Sequence, residues 1–141
     1  MTRAMGLDVG SKTIGVALSD PTYLIAQAKE TIRHSTQERD VDQLEAIIRD
    51  YDVTEVVIGL PRHMNNALSD SARRAQSYGA ALVRRGVRVF YQDERLTTRQ
   101  ATEVLKQTGV RRENRKAHVD AIAATFILQA WLDRNGRKHE Q

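Results

Sequence analysis

The chain has no cysteine among its 141 residues. A disulfide framework and a thiolate metal site are therefore both excluded. Aromatics are scarce, at one Trp, four Tyr and two Phe, so the sequence offers no row of rings on which successive bases would stack. With two prolines and no low-complexity stretch there is no sign of a linker or an internal repeat. No apolar run approaches the ~20 residues that a membrane helix needs. The opening residues Met1 to Gly6 enter a strand-like run at once, without the basic-then-apolar order of a secretory leader. These absences make a cytoplasmic protein without a membrane partner the expectation. The length suits one domain, read as residues 1–134. The basic residues 135–141 are expected to form a mobile tail.

What is present is a globular balance, 40% hydrophobic and 28% charged, with a net charge of +4. Of the 22 basic residues 17 are Arg. Arg pairs with phosphate oxygens through two parallel bonds and lies flat on bases, so a nucleic acid is the indicated partner. A GC-rich genome, which favours Arg codons throughout, is the alternative source of the same excess.

The order of elements follows from pattern and punctuation. Met5 to Gly10 and Thr13 to Ser19 read as two strands joined by a tight turn, and Ile25 to Ile32 as a third. A helix is predicted over Gln37–Tyr51 from the stripe Val41, Leu44, Ile47, Ile48 and Tyr51. Glu55 to Leu60 is a short β-branched run ended by Pro61, the pattern of a buried parallel strand. Ser69 caps the next predicted helix, with the stripe Ala72, Ala75, Gly79, Leu82 and Val83. Val87 to Tyr91 reads as a fifth strand. The spacing Thr97-x-x-Gln100 fits a capping box opening a helix through Ala101, Val104 and Leu105, with Gly109 at its end. A last helix is predicted from about Ala117 to Arg134. The fold class is α/β, a mixed five-stranded sheet flanked by helices. Its three strands joined by turns run antiparallel, and its two later strands arrive by parallel crossovers.

Three acids then stand out. Asp8 lies mid-strand between Leu7 and Val9, with Gly6 and Gly10 on its own face. A carboxylate there is costly to bury unless it is paired or metal-bound, and the glycines leave room for something large to approach it. Asp93-Glu94 ends the last strand, where sites in parallel sheets gather. Alternation puts Tyr91 and Asp93 on one face and Gln92 and Glu94 on the other, and leaves open which acid faces a site. Asp120 is placed in the first turn of the last helix, where Ala121, Ala123 and Ala124 allow close approach to the sheet. Three carboxylates that converge repel one another unless cations lie between them. Oxygen ligands without thiolate suit Mg²⁺ or Mn²⁺, and a pair of such ions is the arrangement that cleaves phosphodiesters. Gly10-Ser-Lys-Thr13 is not a P-loop, since it joins two strands and lacks the Gly before Lys12. His34, His63, His118 and His139 lack metal-ligand spacing and are expected at the surface.

Taken together, Gly6 to Ala17, Ile58-Gly-Leu-Pro61, Asp93-Glu-Arg-Leu-Thr-Thr98 and Lys116-x-x-x-Asp120-x-x-Ala-Ala124 resemble the YqgF (RuvX) family. The likeness runs from about residue 5 to 133. These are small bacterial proteins described as Holliday-junction-resolvase-like and as nucleases that mature the 5′ end of pre-16S rRNA. The resemblance implies an RNase H-like sheet with the first strand central, and a metal-binding catalytic set of Asp8, Glu94 and Asp120. It thus favours Glu94 over Asp93. The chain has Thr13 where the family often has Arg, and Arg62-His-Met-Asn-Asn66 where it commonly has Asn-Met-Asp-Gly.

Arg111, Arg112, Arg115 and Lys116 precede the acidic helix and read as a flexible phosphate-binding loop. Lys12, Arg62, Arg95 and Arg99 extend that basic rim. The expected function is metal-dependent hydrolysis of structured RNA, with rRNA precursor as substrate and a monomer or a homodimer as the active form. A Holliday junction resolvase and a non-catalytic RNA-binding factor are the rivals. An actin-like ATPase shares the Gly6 to Gly10 pattern but needs a second such domain.

Overall fold

The computed structural model describes residues 1–61, 70–93 and 112–135, the last segment with side chains from 121 onward. Strands β1 (Arg3–Val9), β2 (Thr13–Ser19) and β3 (Ala26–Arg33) come first. Helix α1 (Gln37–Asp50), strand β4 (Val53–Leu60), helix α2 (Asp70–Arg84), strand β5 (Val89–Asp93) and helix α3 (Arg112–Asn135) follow. They build a five-stranded sheet in the order β3-β2-β1-β4-β5. The first three strands pair antiparallel, and β4 lies parallel to both β1 and β5. This is the expected mixed sheet, with β1 at its centre.

The β1–β4 pairing explains the apolar character of both strands, since helices cover the sheet on each side. On one side lie α1 and α2. Val41, Leu44 and Ile47 of α1 and Ala75, Tyr78 and Leu82 of α2 pack with Met5, Leu7, Val16, Val56 and Ile58. On the other side lies α3, whose Ala124, Ile127, Leu128, Trp131 and Leu132 meet Ala4, Ala17 and Val57. Thr36 starts α1, its hydroxyl accepting from the Arg39 amide at 3.1 Å.

Several elements differ from their sequence expectation. Val83, placed on the α2 stripe, is 56% exposed. Tyr78 takes the buried position, as the spacing 75, 78, 79, 82 of one helix face requires. Strand β5 begins two residues late because residues 85–88 serve the end of α2. Gly86 adopts φ 84°, and the Val87 amide reaches back to the Leu82 carbonyl at 3.1 Å, a helix-ending turn that favours glycine. Helix α3 starts at Arg112, well before Ala117. Its first residues are long, unbranched and free of Gly and Pro, which suits a helix as well as a loop. Arg112, Arg115 and Lys116 therefore lie on helical backbone rather than in a flexible loop, and Asp120 lies in the third turn rather than the first. The helix predicted through Ala101 to Leu105, with Thr97 and Gly109 at its ends, lies outside the described residues, as do residues 136–141 of the predicted tail. Among the described residues no helix is long and apolar enough to cross a membrane.

One glycine sets the distance between α3 and the sheet. A Cβ on Gly6 would stand 2.6 Å from the Leu128 Cβ and 2.8 Å from the Ala124 carbonyl oxygen. Neither is a side-chain tip that can swing aside, so the helix would have to move. Gly6→Ala is expected to cost about 1–3 kcal/mol, the usual range for overpacking a close contact. Urea unfolding of the two proteins measures it.

Candidate functional site

Asp8 stands on the α3 side of the sheet, near the C-terminal end of the central strand, and is half-buried. Its neighbours on the sheet surface are glycines. Gly6 lies behind it on the same strand, and Gly15 is its direct partner across β2. Leu7 pairs with Ile58, so the residue beside Asp8 on β4 is Gly59. The carboxylate thus rises from a floor of glycines, open to a large ligand.

The run of α3 over this floor follows from its contacts. Ala124 and Leu128 lie against Gly6. Farther along the helix, the Gln129 side chain accepts from the Ala26 amide and donates to the Leu24 carbonyl, each at 2.9 Å. Ala26 pairs with Ser19, whose hydroxyl accepts from the Ala4 amide. Moving forward along α3 therefore means moving backward along β1, from Gly6 towards Ala4. The preceding helical turn, which carries Asp120, extends towards the Asp8 end.

The two acids at the end of β5 are separable. Tyr91 crosses to Gly79 of α2, while Phe90 packs against Trp131 of α3. Strand alternation then puts Asp93 with Tyr91 on the α1–α2 side, away from Asp8. Gln92, which is buried, shares the Phe90 side and lies beside Gly59. Glu94 lies outside the described residues, with Arg62, Arg95, Arg99, Arg111 and His63. Among the described residues no three metal-ligating side chains gather; of the predicted trio only the Asp8 side chain is described. Lys12 is exposed in the β1–β2 turn.

A second polar group is not apparent in the sequence. His34, expected at the surface, has a side chain only 16% exposed, and Asp40 in α1 is wholly buried beside it. The His34 Nδ1 lies 2.8 Å from Asp40 Oδ2, and Nε2 lies 2.8 Å from the Gly10 carbonyl oxygen. The Tyr78 hydroxyl also lies 3.1 Å from His34 Nδ1, so the ring has a polar neighbour at each nitrogen. The Tyr78 hydroxyl donates to Asp40 Oδ2 at 2.7 Å, and the Ser35 amide to Oδ1 at 3.0 Å. Burial alone raises the Asp40 pKa. The bonds from His34, Tyr78 and Ser35 outweigh it and hold the carboxyl below the usual aspartate range. Burial and the neighbouring Asp40 push the Tyr78 phenol up. The one signal in the sequence is Asp40 itself, four residues before Leu44 and so on the apolar stripe of α1.

Another carboxylate organises the β2–β3 turn. Asp20 accepts from the amides of Thr22, Leu24 and Ile25 and from the Thr22 hydroxyl. These bonds overcome the effect of burial and bring its pKa down to about 2. The turn holds Tyr23 at φ 61° with its ring against the α3 core and its hydroxyl donating to Thr2.

Comparison with known proteins agrees with this geometry. The sequence profile of the family described as "RuvX: Holliday junction resolvase" matches residues 2–134. The chain belongs to the RuvX (YqgF) family. A relative from Lachnospira eligens named "Putative pre-16S rRNA nuclease" is 47% identical over 135 residues, covering 93% of this chain and 96% of its own. One of the same name from Lactococcus lactis subsp. cremoris is 45% identical over 139 residues, covering 96% and 97%. Among solved structures, RuvC of Thermus thermophilus with a Holliday junction substrate superposes at a TM-score of 0.59 with 19% identity, covering 98% and 97% of the two chains. A fowlpox virus resolvase bound to Holliday junction DNA gives 0.57 and 13%, covering 94% and 97%. At those identities the likeness is one of fold, and it bears out the RNase H-like sheet of this family member.

Asp40→Ala leaves His34 facing a missing partner inside the core and is expected to cost about 3 kcal/mol at neutral pH. The folded carboxyl has the lower pKa, so its contribution is complete above the unfolded value near 4 and is lost as pH falls through the folded one. The gap between Asp40→Ala and the unaltered protein should therefore narrow below about pH 4. Urea midpoints over a pH series give the result.

Proposed function

We propose that this RuvX-family chain is a divalent-metal-dependent nuclease that trims the precursor of 16S rRNA. The observation that carries the reading is Asp8 on its floor of glycines, at the sheet end towards which the Asp120 turn of α3 extends. The shared name of the relatives from Lachnospira eligens and Lactococcus lactis supports the substrate.

Asp8, Glu94 and Asp120 would hold Mg²⁺ or Mn²⁺. The donor set fits, being carboxylate oxygen throughout in a chain without thiolates. When bound, the ions neutralise charge at the scissile phosphodiester and make water a better nucleophile at neutral pH. The protein's own part is positioning. Asp8 is fixed by the central strand, hydrogen-bonded on both edges, and does not have to be ordered when substrate arrives. Glu94 is preferred to Asp93 because Asp93 shares the Tyr91 side of the sheet. The bare glycine surface lets a phosphate approach the carboxylate without displacing side chains. Lys12, on the turn that follows β1, and Arg112, Arg115 and Lys116, on the first turns of α3, would bind phosphates flanking the cleaved bond. Arg62, Arg95, Arg99 and Arg111 extend the same rim.

A second reading, resolution of DNA four-way junctions, is favoured by the description of the family profile. It shares the chemistry and differs in substrate and in needing a pair of sites. Competition between junction DNA and a precursor 16S rRNA fragment, with the solution mass of the protein, separates the two.

Asp8→Asn should abolish Mn²⁺-dependent cleavage of a precursor 16S rRNA 5′ fragment while leaving folding and RNA binding close to normal. Asp93→Asn should cleave at nearly the full rate. Full activity in Asp8→Asn would overturn the assignment, and RNA binding with no cleavage by the unaltered protein would favour a non-catalytic binding factor. Replacing Arg112, Arg115 and Lys116 together by Ala should reduce the slope of log affinity against log salt by about 2–3, roughly one for each phosphate no longer neutralised. Filter binding at several salt concentrations reads that slope.

A further inference from the structure

Residue 34 holds the turn that follows β1 at two points. Its backbone amide donates to the Lys12 carbonyl at 3.0 Å, and its ring Nε2 lies 2.8 Å from the Gly10 carbonyl oxygen. Within the turn, the Gly10 amide donates to the Thr13 carbonyl at 2.9 Å. The ring itself is held from behind by the wholly buried Asp40 of α1, which Tyr78 of α2 and the Ser35 amide hold in turn. A continuous polar chain thus links two helices on one side of the sheet to the turn two residues beyond Asp8.

We propose that His34 is a positioning residue for the nuclease site, fixing the Gly10–Thr13 turn and through it the Asp8 end of β1 and the place of Lys12. The role rests on the nuclease reading, but the hydrogen bonds do not. The ring meets Asp40 of α1 and Tyr78 of α2, the two helices on the side of the sheet opposite α3. Its geometry explains why a costly polar cluster is kept in a core otherwise built from Val, Leu and Ile. A glycine-bounded turn is restrained chiefly through its backbone, because Gly10 has no side chain to pack and Ser11 and Lys12 are exposed.

The test uses the full chain and five variants. In His34→Ala the amides of residues 10–13 should exchange with solvent about tenfold faster, as expected for one missing hydrogen bond. Mn²⁺ affinity by calorimetry and the single-turnover rate on the precursor fragment should fall by a similar factor. His34→Gln, whose amide can still donate to the Gly10 carbonyl, should recover most of each loss. Tyr23→Phe removes hydroxyl bonds to Thr2 and Thr54 at the opposite end of the sheet and touches nothing in the polar chain, so it should lower the unfolding midpoint with exchange at 10–13, Mn²⁺ affinity and rate near normal. If His34→Ala does not fold, His34→Asn replaces it, since its shorter amide reaches Asp40 but not Gly10. Unchanged exchange at 10–13 in folded His34→Ala or His34→Asn overturns the proposal. So does faster exchange with unaltered Mn²⁺ affinity, or an equal loss of rate in Tyr23→Phe. If Asp8→Asn binds Mn²⁺ as tightly as the unaltered protein, the nuclease reading fails instead, and exchange at 10–13 then decides the anchoring role by itself.

Discussion

The approach of α3 to β1 at Gly6 is the packing on which the rest of the arrangement depends. Helix and strand meet there with no side chain from the strand between them. Any larger residue would lift the helix, and with it the turn that carries Asp120. The same absence of side chains continues to Gly15 and Gly59, the strand neighbours of Asp8. Packing and chemistry draw on one run of small residues here, and neither can be altered alone.

The two faces of the sheet divide the work. The α1–α2 side is broad, apolar and held by two helices, with one buried polar cluster of His34, Asp40 and Tyr78. The α3 side is narrower and ends in the polar floor around Asp8. Each described strand residue therefore has a fixed allegiance, which puts Asp93 on the side away from Asp8. Position 93 sits with Tyr91 against α2. Charge and spacing alone leave Asp93 and Glu94 equivalent.

Much of this is legible in the sequence, for identifiable reasons. The observed bounds of β2 can be read from Pro21 and the Gly10–Lys12 turn, which punctuate it. Strand β4 is recognisable because a β-branched run between polar flanks has one reading. The start of α3 is hidden because Arg112 to Lys116 is charged, and charge marks helices and loops equally. Val83 is easily misplaced since a stripe of small residues leaves its phase loose, and the large Tyr78 settles it. His34 is invisible because its partners are a backbone carbonyl on one element and side chains on two others. Only the register of β1 against β2 and β3 brings those together. Asp8 is legible for the opposite reason, since a carboxylate between two apolar residues of a central strand conflicts with its surroundings whatever the tertiary detail.

The bonds from Gln129 to Leu24 and Ala26 span 105 and 103 positions of chain. They join the start of the third strand to α3, so the α3 side closes later than the α1–α2 side. During synthesis Ala4, Ala17 and Val57 stay uncovered until the final helix leaves the ribosome, while α1 and α2 are already available to shield the opposite side. The surface around Asp8 therefore takes its shape only once α3 has been made, long after the strand that carries the carboxylate.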